Sequence, residues 1–229
     1  MEQKPQDHAK KAAAEVAATF VKDGMTIGLG TGSTVYWFIR KLGELSQQGL
    51  QIQALATSYQ SQHLAKEAGI ALIDNNLIQR IDLTIDGADE IDGHKRMIKG
   101  GGGALLREKV VASISHEVVI IIDSTKLVNR LGKFPVPVEI LAFAYQGIIF
   151  SLNEKGYHGF LRLTKEKEPY VTDNGNFIYD IQFDAASFDP EREESELKRI
   201  PGVLETGIFC GLAGKVIVGN QDGTTRVLI

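Results

Sequence analysis

Residues 86–109 read DGADEIDGHKRMIKGGGGALLREK, and the rest of the chain can be interpreted around this stretch. It opens with Asp86, Gly87, Ala88 and Asp89, directly after an apolar run that predicts a buried strand ending in a turn. Two carboxylates are therefore expected at the carboxyl end of a strand. A plain surface turn is the structural alternative.

Four glycines follow Lys99 in the same stretch: Gly100, Gly101, Gly102 and Gly103. Because glycine has no side chain, the backbone here can approach a ligand closely and point its N–H groups at an anion. Four consecutive glycines are entropically costly in an ordered domain, which favours a ligand cradle over a flexible hinge.

A helical pattern begins at about Ala104 and carries Arg107, Glu108 and Lys109 in its first turns. A carboxylate near a helix start complements the helix dipole, which would be a purely structural role for Glu108. Its position beside the glycine run and the Asp pair favours an acid–base role instead.

A second glycine-containing turn, GTGST at residues 30–34, lies between a predicted strand at 25–29 and a predicted helix. Free N–H groups and the helix dipole both favour an anion at such a junction, so a phosphate site is expected, with simple helix capping as the alternative. The residues of this predicted phosphate site are Thr31, Gly32, Ser33 and Thr34.

A dinucleotide site at this turn is not expected. Counted from Gly28 and Gly30, the dinucleotide fingerprint G-x-G-x-x-G requires a third glycine three places after Gly30, where this chain has Ser33. A dinucleotide site also has an Asp or Glu about 20 residues after the glycine turn, which binds a ribose hydroxyl. In this chain the corresponding stretch, 50–56, is LQIQALA and contains no acidic residue.

Predicted strands and helices alternate through the first 131 residues, which favours an α/β fold with a doubly wound, mostly parallel, Rossmann-like sheet. Ligands bind at the carboxyl ends of the strands in such sheets. The residues that follow predicted strand ends, and are therefore expected at one edge, are Thr31, Asp86, Asp89 and Lys126, the last in the DSTK motif. A solvated loop lysine is the alternative for Lys126.

The pattern changes beyond residue 131. The prolines of FPVPVEI, 134–140, suit an edge or entry strand, and Asp173, Asn174 and Gly175 predict a hairpin turn. We predict a small α+β domain at 132–206, inserted in a large α/β catalytic domain of residues 1–131 plus 207–229.

Composition narrows the classes of partner. The net charge of −4 and the lack of basic runs argue against nucleic acid. No apolar stretch approaches the roughly 18 residues of a membrane span, and the polar N-terminal sequence MEQKPQDHAKK predicts a cytoplasmic protein.

Cysteine and histidine usage predicts neither a disulfide nor a metal site. Cys210 is the only cysteine, without a motif around it, and is interpreted as structural. The five histidines show no ligand spacing.

The ordered motifs TGST, DGAD, KGGG, REK and DSTK resemble those of the ribose-5-phosphate isomerase family of the A type. The similarity covers nearly the whole chain, including FPVPVEI and DNGN, with departures at Gly103, usually alanine, at DSTK, where DASK is common, and at ETGIFCGLAG. The resemblance implies an aldose–ketose isomerase of the pentose phosphate pathway that interconverts D-ribose 5-phosphate and D-ribulose 5-phosphate through an enediolate. It also implies a homodimer without a cofactor.

The resemblance assigns roles as well. Glu108 matches the general base, and Lys99 with the loop amides would stabilise the oxyanion. Asp86 and Asp89 would handle the hydroxyl and ring-oxygen protons, and the sequence leaves open which of them opens the ring. The substrate-binding residues implied are Thr31, Gly32, Ser33, Thr34, Asp86, Gly87, Ala88, Asp89, Lys99, Gly100, Gly101, Gly102, Lys126 and Lys10.

Two other classes of protein remain open. A non-catalytic sugar-phosphate sensor would share the fold, but such regulators need a DNA-binding module, and the sequence shows neither a basic recognition helix nor spare length for one. A pure sensor would also not need Glu108 beside a glycine cradle. A coenzyme-A transferase-like enzyme is the second, and a thioester-exchange assay would distinguish it.

Overall fold

The computed structural model describes residues 5–228. Its α-helices are α1 Pro5–Ala18, α2 Ser33–Gln47, α3 Tyr59–Glu67, α4 Leu105–Ser113, α5 Tyr145–Glu154 and α6 Pro190–Leu197. Its strands are β1 Thr26–Leu29, β2 Gln53–Ala56, β3 Ala71–Leu72, β4 Ile81–Asp86, β5 Glu90–Ile91, β6 Met97–Ile98, β7 Ser115–Asp123, β8 Val136–Ile140, β9 Gly159–Leu161, β10 Phe177–Ile181, β11 Val203–Thr206, β12 Ile208–Phe209, β13 Lys215–Gly219 and β14 Thr225–Leu228. A short 3-10 helix, Ser124–Lys126, follows β7.

A seven-stranded sheet in the order β14-β13-β7-β4-β1-β2-β3 forms the centre of the first part of the fold. Its neighbouring strands are parallel, except that β14 runs antiparallel to β13. The predicted doubly wound, mostly parallel sheet is therefore confirmed. The chain moves outward from β1 on one side and from β4 on the other, so the topological switch point lies between these two strands. Ligands bind at this point in open α/β sheets.

The helix α1 packs closely on the sheet through alanines. Ala9, Ala13 and Ala17 are fully buried. Gly219, at the end of β13, permits the closest approach, because a Cβ there would lie 1.9 Å from the carbonyl oxygen of Ala9. The N-terminal end of α1 is thereby held at the carboxyl edge of the sheet.

Two antiparallel sheets form the second part of the fold. One has four strands in the order β11-β8-β10-β9, and the other has three in the order β12-β6-β5. Val136, Val138 and Ile140 of β8 and Ile181 of β10 are buried in a common apolar cluster with α5 and α6 residues.

FPVPVEI is predicted to form an edge or entry strand, and the edge alternative is wrong, because β8 lies between β11 and β10. The carbonyl of Pro137 accepts a hydrogen bond from the N–H of Gly207 at 2.6 Å. Because the nitrogen and the carbonyl of one strand residue face the same neighbouring segment, the Pro137 nitrogen also faces the β11 side. Pairing with β11 ends at Thr206, opposite Val138. The missing N–H of Pro137 therefore breaks no ladder bond, which is how an interior strand can begin with proline.

The described residues group into two compact units. The first lies within Met1–Ala88, Arg107–Leu127 and Leu212–Ile229, and the second within Asp89–Leu106 and Val128–Gly211. Relative to the domain limits expected from the sequence, the second unit also takes in the segment that holds the glycine run.

Candidate active site

The GTGST turn and Asp86 are joined at the switch point. The N–H of Gly30 donates to the carbonyl of Ile85 at 2.9 Å, and the N–H of Thr31 donates to Oδ1 of Asp86 at 3.2 Å. The N–H of Gly87 donates to the same oxygen at 2.7 Å. Asp86 is only 2% exposed, so two backbone amides hold a buried carboxylate at the carboxyl end of β4.

The hydroxyl of Thr31 turns into the protein. It lies 2.8 Å from the hydroxyl of Thr57 and donates to Ser58 Oγ at 2.8 Å. Ser61 donates in turn to the carbonyl of Gly30 at 2.5 Å. This hydroxyl cluster fastens the GTGST turn to the start of α3. We therefore assign the Thr31 side chain to fixing the turn, while its part in phosphate binding stays a prediction.

The N-terminus of α2 is open for an anion. The first intrahelical bond runs from the N–H of Tyr36 to the carbonyl of Gly32 at 3.0 Å, so the amides of Ser33, Thr34 and Val35 precede it. Gly32 has φ 117° and no side chain with which to cap them. The side chain of Ser33 is exposed and that of Thr34 is half-buried, at the same helix start.

The DSTK motif forms the 3-10 helix that follows β7. Asp123 caps it by accepting the N–H of Thr125 at 3.0 Å and, in a shorter contact, the Thr125 hydroxyl. Lys126 is half-buried, and no hydrogen bond or ion pair of its ammonium occurs within residues 5–228. A lysine in this position is suited to bind an anionic ligand.

Lys10 is brought to the same edge of the sheet by α1. It is half-buried beside Ala9, which packs on Gly219. Gly219 pairs with Asp123 in the neighbouring strand, so α1 begins near the DSTK motif. This arrangement supports the inclusion of Lys10 among the candidate phosphate contacts.

Glu108 lies in the first turn of α4 and is 4% exposed. The guanidinium of Arg107 lies 4.8 Å from the ring centroid of Tyr59, a cation–π contact that directs this arginine toward the start of α3. A buried carboxylate of this kind can take and return a proton without competition from bulk water.

Lys99 is buried in the second unit, at 4% exposure, just after β6. Its backbone N–H donates to the carbonyl of Gly207 at 2.8 Å, and its side-chain ammonium lies 5.5 Å from the ring centroid of Phe209. Backbone pairing and the aromatic face together hold the cation in place.

The glycine run is folded onto Asp89. Oδ2 of Asp89 accepts the N–H of Gly101 at 2.7 Å, and a Cβ on Gly101 would lie 2.6 Å from Oδ1. The N–H of Gly103 donates to the carbonyl of Gly100 at 2.9 Å. Within residues 5–228, the amides of Gly101 and Gly103 are therefore hydrogen-bonded to protein groups. The amides of Gly100 and Gly102 are the ones in this range that remain for a ligand.

Some residues around the site were not singled out by sequence reasoning. Thr57, Ser58 and Ser61 form the hydroxyl cluster, and the TSYQS run after β2 was their only signal. Within residues 5–228, no group of three or more His, Cys, Asp or Glu side chains is arranged to hold a metal ion. No helix in that part of the chain has the length and apolar character to cross a membrane.

Fold and site together define a class: a doubly wound α/β protein with candidate anion-binding groups and buried acids at its strand ends. A profile of the family described as Ribose 5-phosphate isomerase A (phosphoriboisomerase A) matches residues 53–223. The chain is 53% identical over 224 residues to ribose-5-phosphate isomerase A of Protochlamydia amoebophila (strain UWE25), covering 98% of this chain and 97% of that one. It is 51% identical over 214 residues to the enzyme of Bacillus mycoides (strain KBAB4), covering 93% and 96%.

Solved structures give the same result. The ribose 5-phosphate isomerase A of Methanocaldococcus jannaschii superposes with a TM-score of 0.89 at 41% identity, covering 98% of this chain and 99% of that chain. A D-ribose-5-phosphate isomerase in complex with phospho-erythronic acid superposes with a TM-score of 0.90 at 42% identity, covering 96% and 97%. The chain belongs to the ribose 5-phosphate isomerase A family of aldose–ketose isomerases.

Proposed function

We propose that this protein interconverts D-ribose 5-phosphate and D-ribulose 5-phosphate through an enediolate, with Glu108 as the general base. The observation that carries the proposal is the buried carboxylate of Glu108, in the first turn of α4 and directly after the glycine run. Membership of the isomerase family supports the choice of substrate.

The chemistry requires one carboxylate that acts twice. In the open-chain aldose, Glu108 takes the proton from C2, the C1–C2 double bond forms, and the carbonyl oxygen at C1 becomes an oxyanion. Transfer of the hydroxyl proton from the oxygen on C2 to the oxygen on C1 follows. Glu108 then returns its proton to C1, which gives the ketose. Hydrogen moves only as a proton, so the reaction needs no redox cofactor.

The ring must open before this step. Asp86 and Asp89 are the candidates for moving the proton from the C1 hydroxyl to the ring oxygen. Each accepts backbone N–H bonds on one oxygen, Asp86 on Oδ1 and Asp89 on Oδ2, which fixes the orientation of both carboxylates.

The phosphate and the developing negative charge need separate donors. We assign the phosphate to the open amides at the start of α2, the hydroxyls of Ser33 and Thr34, and the ammonium groups of Lys126 and Lys10. We assign the enediolate oxygens to Lys99 and the free loop amides, since preorganised donors stabilise charge that develops in the transition state.

We further propose that the enzyme acts in the cytoplasm, in the pentose phosphate pathway, as a homodimer. Family membership supports these points. Light scattering on the purified protein tests the dimer, with twice the chain mass as the expected result.

The direct test is incubation of purified protein with ribose 5-phosphate, in the presence of a chelator and without nucleotide, while ribulose 5-phosphate is monitored. We expect conversion in both directions. Ribose without a phosphate is the matched control and should turn over poorly, because binding energy from the phosphate is needed to orient the sugar. Failure to convert ribose 5-phosphate would contradict the proposal.

A further inference from the structure

Three carbonyl groups of the glycine run are held by two side chains of the second unit. Nη1 of Arg162 donates to the carbonyl of Gly100 at 2.9 Å and to that of Gly101 at 3.2 Å. The hydroxyl of Tyr170 donates to the carbonyl of Gly102 at 3.3 Å. Three consecutive glycine carbonyls are thus bound from outside the loop.

Arg162 is itself rigidly held. Its Nε donates to Oδ2 of Asp180 at 2.8 Å and its Nη2 to Oδ1 at 2.5 Å. The side chains are 16% and 7% exposed, so this two-bond pairing is shielded from water. A bidentate arginine–carboxylate pair fixes the guanidinium plane. The remaining nitrogen, Nη1, is therefore directed at the loop.

The planarity of the peptide bond carries this constraint to the loop amides, because each carbonyl shares a plane with the N–H of the next residue. Arg162 binds the carbonyl of the Gly100–Gly101 peptide, and Asp89 binds its N–H at 2.7 Å, so both ends of this plane are fixed. In the Gly101–Gly102 peptide, Arg162 binds the carbonyl. The N–H of Gly102 must then point in the opposite direction, away from Arg162.

The next peptide, Gly102–Gly103, is fixed in the same way. Tyr170 binds its carbonyl, and its N–H donates to the carbonyl of Gly100 at 2.9 Å. Burial raises the pKa of Tyr170, with the nearby charge of Asp173 adding to the effect, so the phenol keeps the proton that it donates. Gly103 has φ +81°, and a Cβ there would lie 2.3 Å from the Tyr170 oxygen, so only glycine leaves room for this contact.

We propose that Arg162, held by Asp180, is a positioning residue for the isomerisation. It sets the direction of the Gly102 N–H and holds the peptide that anchors Asp89, while Tyr170 fixes the last plane of the loop. This role rests on the proposed function. Without the hydrogen bonds from Arg162 and Tyr170, four consecutive glycines have no conformational preference that would keep a donor aimed at a developing oxyanion.

The test is Arg162→Met, with Arg96→Met as the matched control. Arg96 makes a comparable pair with Asp92, at 2.6 Å from Nη2 to Oδ2, and a second one with Glu191 at 3.2 Å. It lies in a hairpin turn of the same unit and, within residues 5–228, makes no hydrogen bond to the glycine run. Removal of an oxyanion donor costs about 10² to 10³ in kcat, so a donor that is misaimed should cost roughly 10- to 100-fold. KM should change by less than about threefold, because the proposed phosphate contacts lie on other residues. The control should lose stability without this fall in kcat.

A second measurement does not depend on turnover. Amide hydrogen exchange of Gly101 and Gly103, both hydrogen-bonded, should accelerate in Arg162→Met and stay unchanged in Arg96→Met. Asp180→Asn should repeat the effect. The double variant should add little to either single change, because both remove the same Arg162–Asp180 pair. If the wild-type protein is inactive as an isomerase but exchange is still accelerated in Arg162→Met, the proposed function is contradicted and the hold of Arg162 on the loop is not. Unchanged exchange, or a kcat no lower than that of Arg96→Met, would overturn the positioning role.

Discussion

Gly30 lies directly against the carboxylate of Asp86. A Cβ built on Gly30 would lie 2.1 Å from Oδ1 and 2.2 Å from Cγ of this aspartate. The same oxygen accepts the N–H of Thr31, so the glycine allows the turn and the acid to meet at the switch point. Space for this buried carboxylate thus depends on a residue that has no side chain.

Gly30→Ala is therefore expected to displace Asp86. Overpacking at such a site costs about 1–3 kcal/mol of stability, and kcat/KM should fall by more than the loss of folded protein explains. The measurement is thermal unfolding together with turnover per folded enzyme. Gly147→Ala in α5 is the control, because its Cβ would meet nothing within 4 Å. Equal behaviour of the two variants would contradict this account of Gly30.

Lys126→Met should weaken substrate binding rather than the chemical step. If its ammonium binds the phosphate in both the ground state and the transition state, KM rises while kcat changes little. Hydrogen bonds to charged groups contribute about 1.5–3 kcal/mol, so a roughly 10- to 100-fold rise in KM is expected. Lys155→Met, at an exposed position after α5, should leave both constants unchanged. A fall in kcat at unchanged KM would place Lys126 in the chemical step instead.

Lys99 should favour the enediolate over the sugar. The acid 4-phosphoerythronate places a planar carboxylate where the enediolate oxygens form, and transition-state analogues bind about 10² to 10⁸ times more tightly than substrates. Calorimetry should show it binding well ahead of ribose 5-phosphate. Lys99→Ala should weaken the mimic more than the sugar, while the exposed Lys133→Ala changes neither. Equal losses for both ligands would leave only a phosphate-binding role.

Alternation of strands and helices predicted the parallel sheet, and the structure confirms it. The same pattern predicted that Thr31, Asp86 and Lys126 follow strand ends at one edge, and β1, β4 and β7 do end there. These features are local in sequence, because a strand end and the turn after it are adjacent. That is why motif and periodicity were sufficient for them.

Contacts between distant segments could not be predicted in this way. Arg162, directly after β9, reaches Gly100 across 62 residues. The hairpin turn predicted at 173–175 is consistent with the antiparallel pairing of β9 with β10. It does not indicate which loop the Arg162 side chain contacts. The edge-strand prediction for β8 failed for a similar reason. A proline near the start of a strand is compatible with an edge strand, and also with an interior strand whose neighbour stops before the proline. The sequence of β8 alone does not show where β11 stops.

Cys210 should react slowly with thiol reagents. Burial, reinforced by the nearby charges of Glu194 and Glu191, raises the pKa of its thiol to about 12. Since the thiolate is the reactive form, alkylation at pH 8 should be at least about 100-fold slower in the folded protein than in urea. An equal rate in both states would contradict the burial of this thiol.

The same shift has a consequence for stability. Above the ordinary thiol pKa of about 8.5, the unfolded chain loses the proton that the folded protein keeps, so the free energy of unfolding falls as the pH rises. Cys210→Ser lacks this titration and should show a weaker dependence on pH between 9 and 11, roughly the interval between the two pKa values.

The central claim is that Glu108 moves the proton between C2 and C1. Glu108→Gln keeps the size of the side chain but removes the base, and Glu15→Gln, on the exposed face of α1, is the matched control. The variant should keep the folded spectrum and bind 4-phosphoerythronate within a few-fold of the parent enzyme. A lost general base typically costs about 10² to 10⁴ in rate.

The most direct measurement is exchange of the C2 proton of ribose 5-phosphate in deuterium oxide, followed by NMR. Exchange and isomerisation should fall together in Glu108→Gln, by roughly 10² to 10⁴-fold, and both should be unchanged in Glu15→Gln. Near-normal exchange and turnover in a folded Glu108→Gln enzyme would contradict the role of Glu108 as the general base.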